Sequence, residues 1–175
     1  MTDMIIEPRE LLILRHGKSD WTHQTPDFDR PLNSRGKRNA KQIGQWLQQH
    51  DLEPDRIVSS PALRAATTTQ RVAKELTEPG SIKLDPRIYE ASLNSLLYLL
   101  GEADLYGDRV LLVGHNPGLD ALLEYLAGQH APRTADGKLM TTATLAQLIM
   151  PTDWADLKPS SASLVQLIRA KALTQ

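Results

Sequence analysis

The feature that most constrains the fold is the alternation of short apolar runs with stretches of helical periodicity. Six runs have the length of a strand: Leu11–Leu14, Arg56–Ser59, Ile82–Leu84, Val110–Val113, Thr144–Met150 and Ala162–Ile168. Strands that alternate with helices are connected by right-handed crossovers, so the sheet is mostly parallel and is covered by helices on both faces. The sequence therefore predicts an α/β fold with three layers, α/β/α.

Four helices are predicted from apolar side chains that share one face. They cover residues 40–47, 62–76, 93–100 and 119–126. No helix separates the last two strands, so we expect them to pair as an antiparallel edge of the sheet. No repeat or linker divides the 175 residues, and a chain of this length suits one domain, residues 1–175.

Two histidines and an arginine pair follow the strands at one edge of the predicted sheet. Arg15 and His16 come directly after the first strand, and His115 comes after the fourth. The second strand is followed by Ser60-Pro61, with Arg64 in the first turn of the next helix. Ligands of such sheets bind outside the carboxyl ends of the strands, so we expect these side chains to lie together.

Two helix N-termini are expected at the same edge. Ser60 before Pro61 and Asn116 before Pro117 each combine a good N-cap residue with proline at the first helical position. Free N–H groups at helix N-termini favour a bound anion.

The residue types at this edge point to phosphate as the anion. The guanidinium groups of Arg15 and Arg64 match phosphate oxygens in a bidentate manner and keep their charge. Gly17 and Gly114 lack a Cβ, and we expect this to let the backbone approach a ligand closely. The pattern predicts a phosphate site with two imidazoles beside it.

Composition excludes several other classes of function. The net charge of −1 gives no broad basic surface for nucleic acid, and no apolar run is long enough to span a bilayer. Asp3 and Glu7 stand where a signal peptide would be basic and then apolar. The chain has no cysteine, which suits a reducing compartment, so we expect a cytoplasmic protein that does not act at a membrane.

Five segments resemble the motifs of the histidine phosphatases, in the same order along the chain. They are LRHGKSDW, DRPLNSRG, VSSPALRAATTT, LDPRIYEA and VGHNPGLDALLEYL. The short length, DRPLNSRG and the late KLMTTATLAQL are most similar to the phosphohistidine phosphatase branch, the SixA type. The resemblance implies the phosphoglycerate mutase-like fold of that superfamily.

The resemblance also implies a mechanism. His16 would be the nucleophile that carries the phosphoryl group before water removes it. Arg15, Arg64 and His115 would neutralise the charge on the transferring group, without a metal or other cofactor. Because His16 must be neutral to attack whereas His115 acts as a charged or donating partner, we expect their pKa values to be pushed apart.

Glu90 matches the position that many family members use as proton donor to the leaving group. Phosphohistidine releases imidazole, whose conjugate acid has a pKa of about 6.5, so an acid matters less for it than for an alkoxide. If Glu90 is indispensable, an alkyl phosphate is the better substrate. A structural role explains Glu90 equally well, in which its carboxylate pairs with Arg87 or another nearby base.

Other residues are weaker candidates. Asn116, Lys18 and Ser19 are placed at the phosphate or substrate, although a solvated lysine and a capping serine are equally simple roles. Arg30 is expected near the pocket or paired with Asp27 or Asp29. We expect a supporting role for a threonine pair at the pocket rim, and packing roles for the three tryptophans: Thr141, Thr142, Trp21, Trp46 and Trp154.

The favoured function is removal of phosphate from phosphohistidine on a protein, such as a histidine-phosphotransfer domain, by a monomer. A phosphomonoesterase of small molecules would use the same site. Thr22 stands where bisphosphate-dependent mutases carry asparagine, and the chain is too short for large lids, which disfavours a mutase. Two alternatives stay open: a metal site formed by His16, His115 and either Asp20 or His23, and a phosphate-binding module without turnover.

Overall fold

The computed structural model describes residues 8–102 and 107–173. Asp3 and Glu7, which bear on the prediction that the chain is not exported, lie outside the described residues. Within these two ranges, no helix combines the length and the apolar character that are needed to cross a bilayer.

The centre of the molecule is a six-stranded sheet. Its strands are β1 (Glu10–Arg15), β2 (Arg56–Ser59), β3 (Ser81–Leu84), β4 (Arg109–Gly114), β5 (Thr144–Ile149) and β6 (Ser163–Arg169), in the order β3-β2-β4-β1-β5-β6. The first four strands are parallel, whereas β5 pairs antiparallel with β1 and β6 antiparallel with β5. The predicted mostly parallel sheet with an antiparallel edge is confirmed.

In the described ranges, four α-helices cover the sheet: α1 (Ser34–Gln49), α2 (Leu63–Glu75), α3 (Leu93–Leu100) and α4 (Gly118–Ala127). Successive residues of a strand point to opposite faces. Accordingly, Leu12 and Leu14 of β1 join the cluster that contains the apolar faces of α1 and α2. Leu11 and Ile13 join the cluster that contains α3 and α4. The prediction of three layers is confirmed.

The helix N-terminal caps are not where the sequence predicted them. Asn33 caps α1 and Ser92 caps α3, each by accepting from a backbone N–H of the first turn. α2 has Ala62 as its N-cap residue and α4 has Pro117, so the prediction that Ser60 and Asn116 are the caps is wrong. Both helices begin later than predicted, although Ser60 Oγ accepts from the N–H of Ala62 and Asn116 Oδ1 accepts from the N–H of Asp120 in the first turn of α4.

The order of the central strands places the two histidines side by side. β1 and β4 are direct neighbours, with Arg15 opposite Gly114 in the register. β2 lies on the other side of β4, with Ser59 opposite Val113. The residues that follow these strands, His16, His115 and Ser60, therefore stand in adjacent positions at one edge of the sheet.

Candidate active site

A cleft of about 700 Å³ opens at the carboxyl ends of β1 and β4. Its lining includes residues from α2, α4 and the loops that follow the strands. Nine of the predicted site residues lie on its walls, whereas Gly17 and Gly114 do not: Arg15, His16, Lys18, Ser19, Arg30, Arg64, Glu90, His115 and Asn116.

His16 is buried and held in one orientation. Its Nδ1 lies 2.7 Å from the carbonyl oxygen of Gly17, which can only accept, so Nδ1 carries the proton. Nε2 then has a free lone pair, and Arg64 Nε donates toward it over 3.4 Å. Burial, followed by the positive charges of His115, Arg64 and Arg15, lowers the pKa of His16 to about 3. At neutral pH this ring is an uncharged base with an unprotonated nitrogen.

His115 lies beside His16, with their ring centroids 5.1 Å apart. Its Nε2 is 2.7 Å from the hydroxyl oxygen of Ser60, which is fully buried. Burial and then the charge of Arg64 lower the pKa of His115 to about 4. The expectation that the two pKa values are pushed apart is therefore wrong, because both rings face the same desolvation and the same guanidinium groups.

Arg64 is oriented by Asp27, which lies in a short 3-10 turn at the edge of the cleft. Nη1 of Arg64 donates to the Asp27 carbonyl oxygen at 2.6 Å, and Nη2 donates to its carboxylate at 3.0 Å. The same carboxylate accepts from Arg30 at 2.8 Å and from the hydroxyl of Tyr89 at 2.5 Å. The Tyr89 hydroxyl and then the guanidinium groups lower the pKa of Asp27 to about 2.

Arg15 is anchored by the segment that precedes β5. Its Nη1 donates to the carbonyl oxygen of Met140 at 3.0 Å, and Nε is a buried donor without a partner among the described residues. Asn116 donates to the same carbonyl oxygen and accepts from the backbone N–H of Asp120. Both ends of the Asn116 amide thus make hydrogen bonds within the fold, while the residue also lines the cleft, and its use at the phosphate stays a prediction.

Gly17 does not line the cleft. A Cβ on this residue would lie 2.7 Å from the carbonyl oxygen of Gly36 in α1, so the close approach is to α1 and not to a ligand. At Gly114 a Cβ would meet Ile88 at 3.0 Å. The reason predicted for these two glycines is wrong. What Gly17 supplies is the carbonyl oxygen that orients His16, while its N–H donates to the buried hydroxyl of Thr68.

Arg30 and Trp21 form one side of the cleft. The Arg30 guanidinium lies 3.6 Å from the centroid of the Trp21 ring and donates to Ser19 Oγ at 3.2 Å. Arg30 was predicted either near the pocket or paired with Asp27 or Asp29, and it both lines the cleft and forms an ion pair with Asp27. Trp21 is 71% exposed, so its predicted packing role is wrong, whereas Trp46 and Trp154 are buried.

Glu90 reaches the cleft in an uncommon backbone conformation. Its φ of 55° lies in the left-handed region, which costs free energy for a residue with a side chain. Arg87 forms ion pairs with Asp85 and Glu102, so the alternative that pairs Glu90 with Arg87 is wrong. Among the described residues, the Glu90 carboxylate has no hydrogen-bond or ion-pair partner.

Thr68 and Tyr89 are site residues that the sequence did not single out, and Ser60 was predicted only as a helix cap. Thr68 follows Arg64 by one helical turn and donates to its carbonyl oxygen, a spacing visible in the sequence. Tyr89 had no such signal, because its contact with Asp27 joins segments that are 62 residues apart. Of the threonine pair predicted at the rim, Thr142 lines the cleft.

The metal site considered from the sequence is not assembled. Asp20 is hydrogen-bonded to Thr22 in a loop, and neither Asp20 nor His23 lines the cleft. In the two ranges that the structure describes, no three histidine, aspartate or glutamate side chains are grouped to hold a metal ion. The arrangement instead presents a neutral nucleophilic nitrogen among cationic donors, which suits transfer of an anionic group.

Comparison with known proteins gives a consistent result. The family model of the histidine phosphatase superfamily (branch 1) matches residues 11–99. An uncharacterised protein of Mycobacterium tuberculosis is 31% identical, over 87% of this chain and 96% of that protein. Phosphohistidine phosphatase SixA of Escherichia coli is 27% identical, over 81% of this chain and 85% of SixA. A crystal structure from Agrobacterium tumefaciens assigned to SixA is 30% identical with a TM-score of 0.77, covering 92% of this chain and 98% of that chain.

The lowered histidine pKa values give an expected pH dependence of stability. His16 and His115 stay neutral in the folded chain, whereas the unfolded chain takes up protons below about pH 6.5. The free energy of unfolding should therefore fall from about pH 7 until the pH reaches the folded values of about 4 and about 3. Between about pH 7 and about pH 5 the loss is about 2 kcal/mol for each neutral histidine.

Urea unfolding in phosphate-free buffer measures this loss. His16→Asn should reduce it by about half, because one of the two neutral rings is gone. His23→Asn removes an exposed histidine outside the cleft and should keep the wild-type dependence. A wild-type stability that stays level over this pH range would contradict the account.

Asp27→Asn tests the clamp on Arg64 and Tyr89. The carboxylate accepts the Tyr89 hydroxyl and its charge opposes the phenolate, so the pKa of Tyr89 is raised. In Asp27→Asn the pKa of Tyr89 should fall toward about 10, as measured by an NMR titration of its ring. Asp29→Asn, in the same 3-10 turn, should leave the titration as in the wild type. Equal titrations in the two variants would show that Asp27 does not hold Tyr89 in solution.

Proposed function

The chain belongs to the histidine phosphatase superfamily, and from this premise we propose that it is a phosphatase in which His16 carries the phosphoryl group. One observation supports the proposal most strongly. His16 is neutral, its Nδ1 is fixed on the Gly17 carbonyl oxygen, and its free Nε2 faces the guanidinium of Arg64. A nucleophile, its orientation and a partner for negative charge are present in one place.

In the first step, the lone pair of His16 Nε2 attacks phosphorus. The bond from phosphorus to the leaving atom breaks, and its electron pair departs with the leaving group. The ring gains positive charge, which the carbonyl oxygen of Gly17 stabilises through Nδ1–H. The guanidinium groups of Arg64 and Arg15 neutralise the phosphoryl oxygens, and the neutral ring of His115 donates a hydrogen bond to one of them. Such electrostatic stabilisation is the main source of catalysis in phosphoryl transfer.

In the second step, water attacks the phosphorus of phosphorylated His16. The bond between nitrogen and phosphorus breaks, its electron pair returns to Nε2, and phosphate leaves. The His16 ring is regenerated with its proton still on Nδ1, so the catalytic cycle needs no change of tautomer at His16. All of these groups come from one edge of one sheet, and the proposal therefore treats residues 1–175 as one domain. Neither step uses a metal, because the charge of the phosphoryl group is met by Arg15 and Arg64.

We further propose that the substrate is phosphohistidine on a protein. The Escherichia coli relative is a phosphohistidine phosphatase by name. The rim of the cleft also carries large exposed side chains, Trp21 and, against Tyr89, Phe28, which could contact a surface around a phosphorylated side chain. A second candidate, a small phosphoester, is supported by Glu90, because an unpartnered carboxyl group in the cleft could protonate an alkoxide.

Covalent capture tests the nucleophile. After brief exposure to a radiolabelled phosphoryl donor and rapid quenching, the wild type should hold a label that is stable to alkali and labile to acid. His16→Ala should hold none, whereas His23→Ala should label like the wild type. The labelling should persist in the presence of a strong chelator. Label retained by His16→Ala, or lost with chelator and restored by zinc, would contradict the proposed mechanism.

Glu90→Gln separates the two substrate classes. An imidazole leaving group needs little protonation, so hydrolysis of a phosphohistidine protein should change by less than about threefold. Hydrolysis of an alkyl phosphate should fall about a hundredfold, the usual contribution of a general acid. A large and equal loss on both substrates would contradict this role, because it would place Glu90 in the hydrolysis of phosphorylated His16, a step that both substrates share.

A further inference from the structure

The hydroxyl of Ser60 lies within hydrogen-bond distance of Nε2 of His115, while the other ring nitrogen, Nδ1, has no partner among the described residues. Ser60 is completely buried directly after β2, and its Oγ lies 2.7 Å from His115 Nε2. We propose that Ser60 is a positioning residue that fixes the tautomer of His115, so that its proton stays on Nδ1 as a donor to a phosphoryl oxygen. This inference rests on the proposed function.

Hydrogen-bond accounting at Ser60 supports this assignment. Ser60 Oγ accepts from the backbone N–H of Ala62 at 3.2 Å, which uses one of its two lone pairs. Its own hydrogen needs an acceptor, and among the hydrogen bonds of the described residues His115 Nε2 is the acceptor within reach. With this arrangement, the hydroxyl of Ser60 is satisfied both as a donor and as an acceptor.

The opposite tautomer leaves more groups unsatisfied. If Nε2 carried the proton and donated to Ser60, the hydroxyl hydrogen of Ser60 would be a buried donor with no acceptor. The lone pair of His115 Nδ1 would also be unpaired, because this atom is buried without a partner among the described residues. Each buried unsatisfied polar group costs about 1 to 3 kcal/mol. The Nδ1–H tautomer leaves one such group, and the alternative leaves two.

The group that remains unsatisfied has the polarity that a phosphoryl oxygen requires. In the favoured tautomer Nδ1–H is a donor, on a ring that lines the cleft beside His16. Nε of Arg15 is a second buried donor without a partner among the described residues. An anionic oxygen would give both donors an acceptor, which the described residues do not provide.

The tautomer matters because it gives the two imidazoles opposite roles at the same protonation state. His16 carries its proton toward Gly17 and offers a lone pair to phosphorus. His115 accepts a hydrogen bond from Ser60 at Nε2 and offers the N–H of Nδ1 to a phosphoryl oxygen. His115 can therefore bind the phosphoryl group while it is neutral, and no proton has to be added to the crowded site before the substrate arrives.

Nitrogen NMR of histidine-labelled protein tests the inference without substrate. In the wild type at neutral pH, His115 should show a protonated Nδ1 and an unprotonated Nε2. Ser60→Ala should lose this pattern, and Ser60→Thr, which keeps the hydroxyl, should restore it. Ser59→Ala is the matched control, because Ser59 is equally buried but its hydroxyl donates to the carbonyl oxygen of Ser60, whereas the hydrogen bond to His115 comes from Ser60.

Binding of inorganic phosphate provides the second measurement. Phosphate should shift the Nδ1–H signal of wild-type His115, and its affinity should fall about tenfold in Ser60→Ala but less than twofold in Ser59→Ala. A wild-type His115 protonated on Nε2 would overturn the inference, as would an unchanged tautomer in Ser60→Ala. The wild-type spectrum decides the tautomer even if Ser60→Ala does not fold. It is also independent of covalent capture on His16, so the inference and the proposed function can fail separately.

Discussion

The site depends on one electrostatic constraint: two guanidinium groups and two imidazoles share a buried space, so that a further positive charge there is unfavourable. Protonation of His16 is opposed by burial and by the charges around it, which leaves Nε2 free. The Asp27 carboxylate, at the margin of the cleft, compensates only part of the charge. An anionic phosphoryl group is the ligand that would complete the balance.

The sheet makes this arrangement possible because it places β2, β4 and β1 next to one another. Groups that are far apart in sequence then follow neighbouring strands and meet without long loops. The backbone contributes as well. The Gly17 carbonyl oxygen orients one histidine, the Met140 carbonyl oxygen anchors Arg15, and Gly36 lets α1 approach the loop that carries His16.

Much of this could be predicted from the sequence, because apolar periodicity depends on local geometry and the strand-end motifs are contiguous. The six strands, the four helices and the gathering of Arg15, His16, Arg64 and His115 followed from those signals. The contacts of Asp27 could not be predicted, since they join a turn to α2 and to Tyr89 across long separations. The exposure of Trp21 could not be predicted either, because hydrophobicity alone does not show that a ring lies over an arginine at the surface.

A crystal structure with orthovanadate would test the central claim most directly, because this anion adopts the geometry of a phosphoryl group in transfer. The account predicts vanadium bonded to Nε2 of His16, with oxygens that accept from Arg15, Arg64 and His115. The Nδ1 contact to the Gly17 carbonyl oxygen should be retained. Vanadate bound through another residue, or a His16 ring turned away from an occupied cleft, would contradict the account.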